Sequence, residues 1–193
     1  MNGAGDHVIV LDEDANAVGT MDKLAAHQRA TPHLAFSVVL FADGGRVVLQ
    51  RRAAGKYHFA GRWSNTCCSH PRPGEPLRPA GRRRTREELG FDPGPLAVQG
   101  AFWYTARDAV SGLAEHEYDV VLVGHVDGAS VRDARFDPAE VDAIALTTPD
   151  AVRSICAESP RDVTPWLERV LDIALAPPTP IADGVLADRR PGQ

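Results

Sequence analysis

Six side chains of metal-ligating type recur at close spacing in this chain: His27 and His33, Cys68 and His70, Glu115 and Glu117. Residues two apart in an extended chain face the same side, so Cys68 with His70, and Glu115 with Glu117, can each aim at one point. Three imidazoles and two carboxylates suit a borderline divalent ion such as Mn²⁺ or Zn²⁺ better than a soft ion or Ca²⁺. Taken singly, each has a plainer reading: His27 facing water, His33 at the edge of a core, the glutamates on a solvated strand face.

A second group lies on residues 77–89 (LRPAGRRRTREEL), which read as a helix with Pro79 near its start and Gly90 at its end. Gly81 weakens that helix from within. Glu87 and Glu88 fall in its last turn, where the macrodipole disfavours a carboxylate by roughly 0.3–1 kcal/mol. Arg83 and Arg84, four residues earlier, can compensate. So can a bound Mg²⁺ whose octahedron a phosphate completes; the alternative is a salt-bridged surface helix. A third group is basic and aromatic: Arg51, Arg52, Lys56, Phe59 and Trp63, with Trp103, Tyr104 and Trp166 far along the chain. Aromatic faces stabilise cations, so a dry pocket walled by them suits a carbocation-like species, whereas the same residues as plain core would do no chemistry.

The elements that must carry these groups are partly legible. Residues 34–41 (LAFSVVLF) and 46–50 (RVVLQ) form two β-rich runs joined by Ala-Asp-Gly-Gly, which predicts a hairpin. Residues 51–63 and the Cys/His segment 65–71 lack a period and read as loop. Strands follow at about 98–104 and 117–126, the second nearly apolar throughout and so buried. Pro149 and Pro165 open two further helices, 149–157 and 165–176, each with a preceding threonine, Thr148 or Thr164, as its cap. The tail from Pro177 is expected to fray. No repeat or linker is seen, so residues 1–176 are read as one domain and 177–193 as a flexible tail.

Composition narrows the function. A chain of 193 residues with 44% hydrophobic and 24% charged residues can build a globular core. The net charge of −5, with Lys23 and Lys56 the only lysines beside many arginines, argues against a nucleic-acid partner. A local arginine cluster still suits a small phosphorylated ligand. Three cysteines, two of them adjacent, give no disulfide framework and point to a reducing, cytoplasmic setting. The amino end shows no secretory pattern. The longest apolar run, 34–42, is broken by Ser37 and falls short of the ~20 residues a membrane helix needs.

Taken together the segments KLAAHQRATPHLAF (23–36), RRAAGK (51–56), GRWSNTCCSHP (61–71), RRRTREELG (82–90), FWYTA (102–106) and Glu115-His116-Glu117 resemble the type I isopentenyl-diphosphate isomerases, members of the Nudix superfamily. The resemblance runs from about residue 7 to 175. It implies an α/β (α+β) fold, a Nudix-like mixed β-sheet sandwiched between helices in a single domain. It implies interconversion of isopentenyl and dimethylallyl diphosphate for isoprenoid biosynthesis, by protonation and deprotonation through a tertiary carbocation-like state. By the same resemblance Cys68 and Glu117 are catalytic on opposite faces of the double bond, with Tyr104 beside the glutamate. Lys23, Arg52, Lys56 and Arg84 grip the diphosphate, and Trp166 covers the reacting carbons. His27, His33, His70, Glu115 and Glu117 hold one Mn²⁺ or Zn²⁺, while Glu88 holds a Mg²⁺ that reaches the diphosphate. The partner is then a small allylic or homoallylic diphosphate, with no nucleic acid and no membrane, and the protein a monomer.

The chain departs from the hydrolase pattern of the superfamily. Ser69 stands where the Nudix hydrolase box, continued here by Glu75, Arg83, Glu87, Glu88 and Gly90, begins with glycine, and Arg84 stands where it has a glutamate that gathers Mg²⁺ at the scissile phosphate. That exchange favours gripping a diphosphate over cleaving it. A Nudix hydrolase of another substrate is the runner-up, and a non-catalytic metal-binding fold the third reading.

Overall fold

A computed structural model of the chain describes residues 6–181. In chain order it runs β1 (His7–Leu11), β2 (Ala17–Asp22), α1 (Lys23–Arg29), β3 (His33–Ala42), β4 (Arg46–Arg52), β5 (Trp63–Ser64), β6 (Cys67–Ser69), α2 (Leu77–Leu89), β7 (Ala97–Arg107), β8 (Ala114–His125), α3 (Gly128–Arg132), β9 (Val141–Thr147), α4 (Pro149–Glu158) and α5 (Leu167–Leu175). The strands form one mixed sheet around β3. Strand β8 pairs with β3 in parallel over residues 33–41. The other edge of β3 is shared by β1 at His33, β6 at residues 36–38 and β4 at residues 41–42, all antiparallel. Strand β7 extends the sheet beyond β8, and β9 pairs with β4.

Alternation along β3 and β8 sends two sets of side chains to two faces. Leu34, Phe36, Val38 and Leu40 join Val120 and Leu122 in a core that receives Leu77 and Ala80 of α2. Val39 and Val121 join a second core with Val152 of α4 and Leu167, Val170 and Leu171 of α5. The expected sandwich of a mixed sheet between helices is therefore present. Gly81 has a packing reason: a Cβ there would lie 2.8 Å from Leu122 Cδ1 and 2.9 Å from Leu96 Cδ1, so a side chain would force these core leucines to shift. Burial of the apolar face outweighs the ~1 kcal/mol that glycine costs a helix interior.

The hairpin between β3 and β4 turns at Gly44 and Gly45, both with positive φ (70° and 71°), and α2 occupies the expected residues. Helix α5 starts later than expected, at Leu167. Thr164 does not cap it, because Trp166 takes the cap position two residues further on; the Thr164 hydroxyl donates to Ser64 Oγ at 3.1 Å, tying the chain before α5 to β5. Thr148 does cap α4, accepting from Ala151 N at 3.2 Å. Residues 177–181, expected to fray, lie against the sheet: Thr179 N–H donates to the Gln99 carbonyl at 2.9 Å and Ile181 is buried. The rest of the expected tail, 182–193, lies outside the described residues. Among the described residues no helix is long and apolar enough to cross a membrane.

Candidate active site

The site lies on the α5 face of the sheet, and strand register assembles it. The parallel β3–β8 ladder sets His33 opposite Glu117. The antiparallel β7–β8 ladder sets Tyr104 opposite Glu117 from the other side. The β3–β6 ladder sets Ser37 opposite Cys68, and His70 follows two residues on. Helix α1 delivers His27. At seven residues α1 is too short to hold itself, and it is fixed by Asp22, which accepts from Ala25 N at 2.9 Å, and by burial of Ala26 and His27.

His33 Nε2 lies 3.1 Å from His70 Nε2 and 3.3 Å from Glu117 Oε1, and His70 Nε2 lies 2.9 Å from the same oxygen. Divalent ions held at about 2.1 Å place neighbouring donors about 3 Å apart, so this donor set fits one. The backbone orients two of the rings. His33 Nδ1 contacts the Thr31 carbonyl at 2.7 Å and His27 Nδ1 the Ala114 carbonyl at 3.2 Å, which directs the Nε2 lone pairs inward. His27 Nε2 is buried with no hydrogen-bond partner, as a waiting metal donor would be. The ligand atoms of His27, His33 and His70 lie within 4.8 Å of one another, as do those of His33, Glu115 and Glu117. Glu115 and Glu117 are 3% and 5% exposed, so they do not form a solvated strand face. Burial and Glu115 push the Glu117 carboxyl upward, but the adjacent His33 and His70 imidazoles outweigh them and hold it below its usual range.

Cys68, Tyr104, Glu115, Glu117, His70 and Trp166 line one pocket. Trp166 Nε1–H donates to Cys68 Sγ at 3.2 Å, and the thiol donates to Asn65 Oδ1 at 2.8 Å. Burial, with the nearby Asp119, pushes the thiol up to about 12. Cys67 points the other way, fully buried in the α2-side core. The Tyr104 hydroxyl donates to Glu117 Oε2, and its ring lies 5.7 Å from that of Trp166.

Lys23, Arg52 and Lys56 line the same pocket. The Arg52 guanidinium also donates to the Phe59 and His58 carbonyls at 3.2 and 3.1 Å, folding the 53–62 loop over the site. Arg84 and Glu88 are not among the lining residues. Arg84 reaches Glu88 at 2.6 Å and Glu140 at 3.1 Å, and Glu140 in turn holds Lys56, so the pair stands behind the pocket wall. Three residues escaped the sequence reading. His58 contacts Glu115 at 2.5 Å. Ser37 donates to Asp119 at 2.7 Å and lies 3.6 Å from Cys68 Sγ. A carboxylate inside the run YDVVLVGHV was the available signal for Asp119; His58 sat in a stretch without period and gave none.

Residues 31–167 match the NUDIX domain family. The protein DR0079 from Deinococcus radiodurans superposes with a TM-score of 0.70 at 16% identity, over 88% of this chain and 99% of that one. The MutT protein from Methanosarcina mazei Go1 superposes with a TM-score of 0.57 at 16% identity, over 73% and 91%. These likenesses and the sheet described above define a Nudix fold. The chain is 46% identical to isopentenyl-diphosphate Delta-isomerase 2 of Aromatoleum aromaticum over 170 residues, 86% of this chain and 85% of that one. It is 42% identical to the isopentenyl-diphosphate Delta-isomerase of Halorhodospira halophila over 167 residues, 86% and 93%. The chain belongs to the isopentenyl-diphosphate Delta-isomerase family of Nudix domain proteins.

Proposed function

We propose that this protein interconverts isopentenyl and dimethylallyl diphosphate, with Cys68 and Glu117 as its two proton carriers. The observation that carries the reading is that a thiol and a carboxylate, each held by an aromatic donor, line one small pocket: Cys68 by Trp166, Glu117 by Tyr104. One carrier adds a proton to the terminal carbon of the alkene, and the π electrons form that C–H bond. Positive charge develops on the tertiary carbon. The opposite carrier removes a proton from the carbon bonded to C1, and that C–H pair becomes the new double bond. In the reverse direction the two carriers exchange parts. Positioned acid–base groups supply roughly 10²–10⁴ of the rate. The Trp166 face stabilises the cation by about 2 kcal/mol in a site closed to water.

His27, His33, His70, Glu115 and Glu117 would hold Mn²⁺ or Zn²⁺, and Glu88 a Mg²⁺ at the diphosphate. The ion of the five-ligand site would supply Lewis acidity on the Glu117 side. Lys23, Arg52 and Lys56 would hold the diphosphate, with Arg84 adding positive charge from behind the pocket wall, so that remote binding energy orients the alkene. The substrate is a small molecule, the protein acts as a monomer in the cytoplasm, and nucleic acid plays no part. Cleavage of the diphosphate is disfavoured because Arg84 stands where hydrolases carry a glutamate, which leaves one carboxylate fewer for Mg²⁺. The test is incubation with isopentenyl diphosphate and Mg²⁺ followed by proton and phosphorus NMR. An allylic product with its diphosphate intact is expected; phosphate release without an allylic product contradicts the reading.

A further inference from the structure

His58 is held in place by more than its neighbours in sequence require. Arg52 binds its carbonyl at 3.1 Å, the Tyr57 ring lies 4.4 Å from its own, and Phe59, the next residue, adopts a left-handed φ of 47°. A non-glycine residue in that region is strained and persists where the surroundings impose it. This arrangement directs His58 Nε2 to Glu115 Oε1 at 2.5 Å, while His27 Nδ1 lies 3.0 Å from Glu115 Oε2. Oε1 is thereby engaged by an imidazole, whereas Oε2 is buried with no hydrogen-bond partner, the His27 Nδ1–H being directed at the Ala114 carbonyl. The ligand atoms of His58 cluster with those of His27 and Glu115, whereas the trios built on His33, His70 and Glu117 do not include it. His58 thus meets the donor set only at Glu115 and His27.

We infer that His58 is a positioning residue for the metal centre: its Nε2–H clamps Glu115 and sets the carboxylate in its ligating orientation. The inference rests on the reading of His27, His33, His70, Glu115 and Glu117 as metal donors. Outer partners of this kind typically govern metal affinity by about 10–100-fold.

The test is Mn²⁺ affinity of the metal-stripped full chain, measured by competition with a chromophoric chelator. It compares the wild type with His58→Phe, which keeps the ring against Tyr57 and loses the donor, and His58→Gln, whose amide keeps a donor near the Nε2 position. Metal-free melting curves confirm that each variant is folded. The expected result is a 10–100-fold weaker Kd for His58→Phe and one within a few-fold of wild type for His58→Gln. Unchanged affinity in a folded His58→Phe overturns the clamp and leaves the donor set standing. Equal weakening of both variants, with an altered absorption spectrum of the Co²⁺ form, overturns it in favour of His58 as a direct ligand. A wild type that binds no Mn²⁺ tightly overturns the donor reading and the clamp together.

Discussion

The Trp166 indole donates its N–H to the Cys68 sulfur at 3.2 Å, from a position only 3% exposed at the start of α5. One residue from the last helix thus fixes the orientation of a thiol on a three-residue strand and lays an aromatic face beside it.

Replacing Cys68 with alanine should lower kcat by roughly 10²–10⁴ with little loss of stability. Cys67→Ala, in the opposite core, should instead cost about 1 kcal/mol of stability and leave kcat within a few-fold. Product NMR and urea unfolding of both variants check this. Equal turnover of Cys68→Ala and wild type would remove the thiol from the chemistry.

Tyr104→Phe deletes the hydroxyl that donates to Glu117 Oε2 without touching the diphosphate cations. The expected signature is kcat reduced at least about 10-fold with KM nearly unchanged, since the lost contact acts at the reacting carbons. Lys56→Ala should show the reverse emphasis, a raised KM, because it removes a grip on the remote end. Steady-state kinetics of the two variants measure the split, and a common pattern in both would argue against separate roles.

Glu140 gives a pH prediction. Burial alone would raise its carboxyl, but Lys56 and Arg84 outweigh burial and hold it at about 2. A depressed folded-state value contributes stability that is present above the unfolded value, about 4.3, and is lost as pH falls through the folded value. Glu140→Gln should therefore be less stable than wild type by about 1–2 kcal/mol at pH 7, discounted for partial exposure. The gap should narrow below about pH 4.5 and close near pH 2. Urea unfolding from pH 2 to 7 reads it, and a gap independent of pH would contradict the assignment.

Stripping the metal should abolish turnover, and Mg²⁺ alone should restore it incompletely, because the His/Glu donors suit a borderline ion better than Mg²⁺. Turnover with metal content measured in parallel tests this. Full recovery in Mg²⁺, with other metals verified absent, would count against the five-ligand site.

Long, strongly patterned elements were legible in the sequence: β3 and β4 from their apolar runs and glycine turn, α2 to the residue, α4 with its Thr148 cap. The two-residue steps Cys68/His70 and Glu115/Glu117 were legible as spacing, although Cys67–Ser69, read as loop, is strand β6, and β8 begins at Ala114, ahead of the expected 117. What was not legible depends on register between distant segments. No element was predicted before residue 34, because β2 is largely exposed and α1 holds its helix by burying Ala26 and His27 rather than by propensity. The partnership of His33 with Glu117 exists only through the parallel β3–β8 ladder. Thr164 looked like a cap because it precedes a proline; the helix begins only at Leu167, with Trp166 at its cap position.

The central claim is that two separate carriers act across the alkene, and single-turnover isomerisation of isopentenyl diphosphate in D₂O tests it most directly. Two solvent-exchanged carriers predict one deuteron in a methyl group of the dimethylallyl product, with the diphosphate intact. A product methyl carrying only hydrogen would mean that one group had shuttled the substrate's own proton, and the two-carrier account would fail.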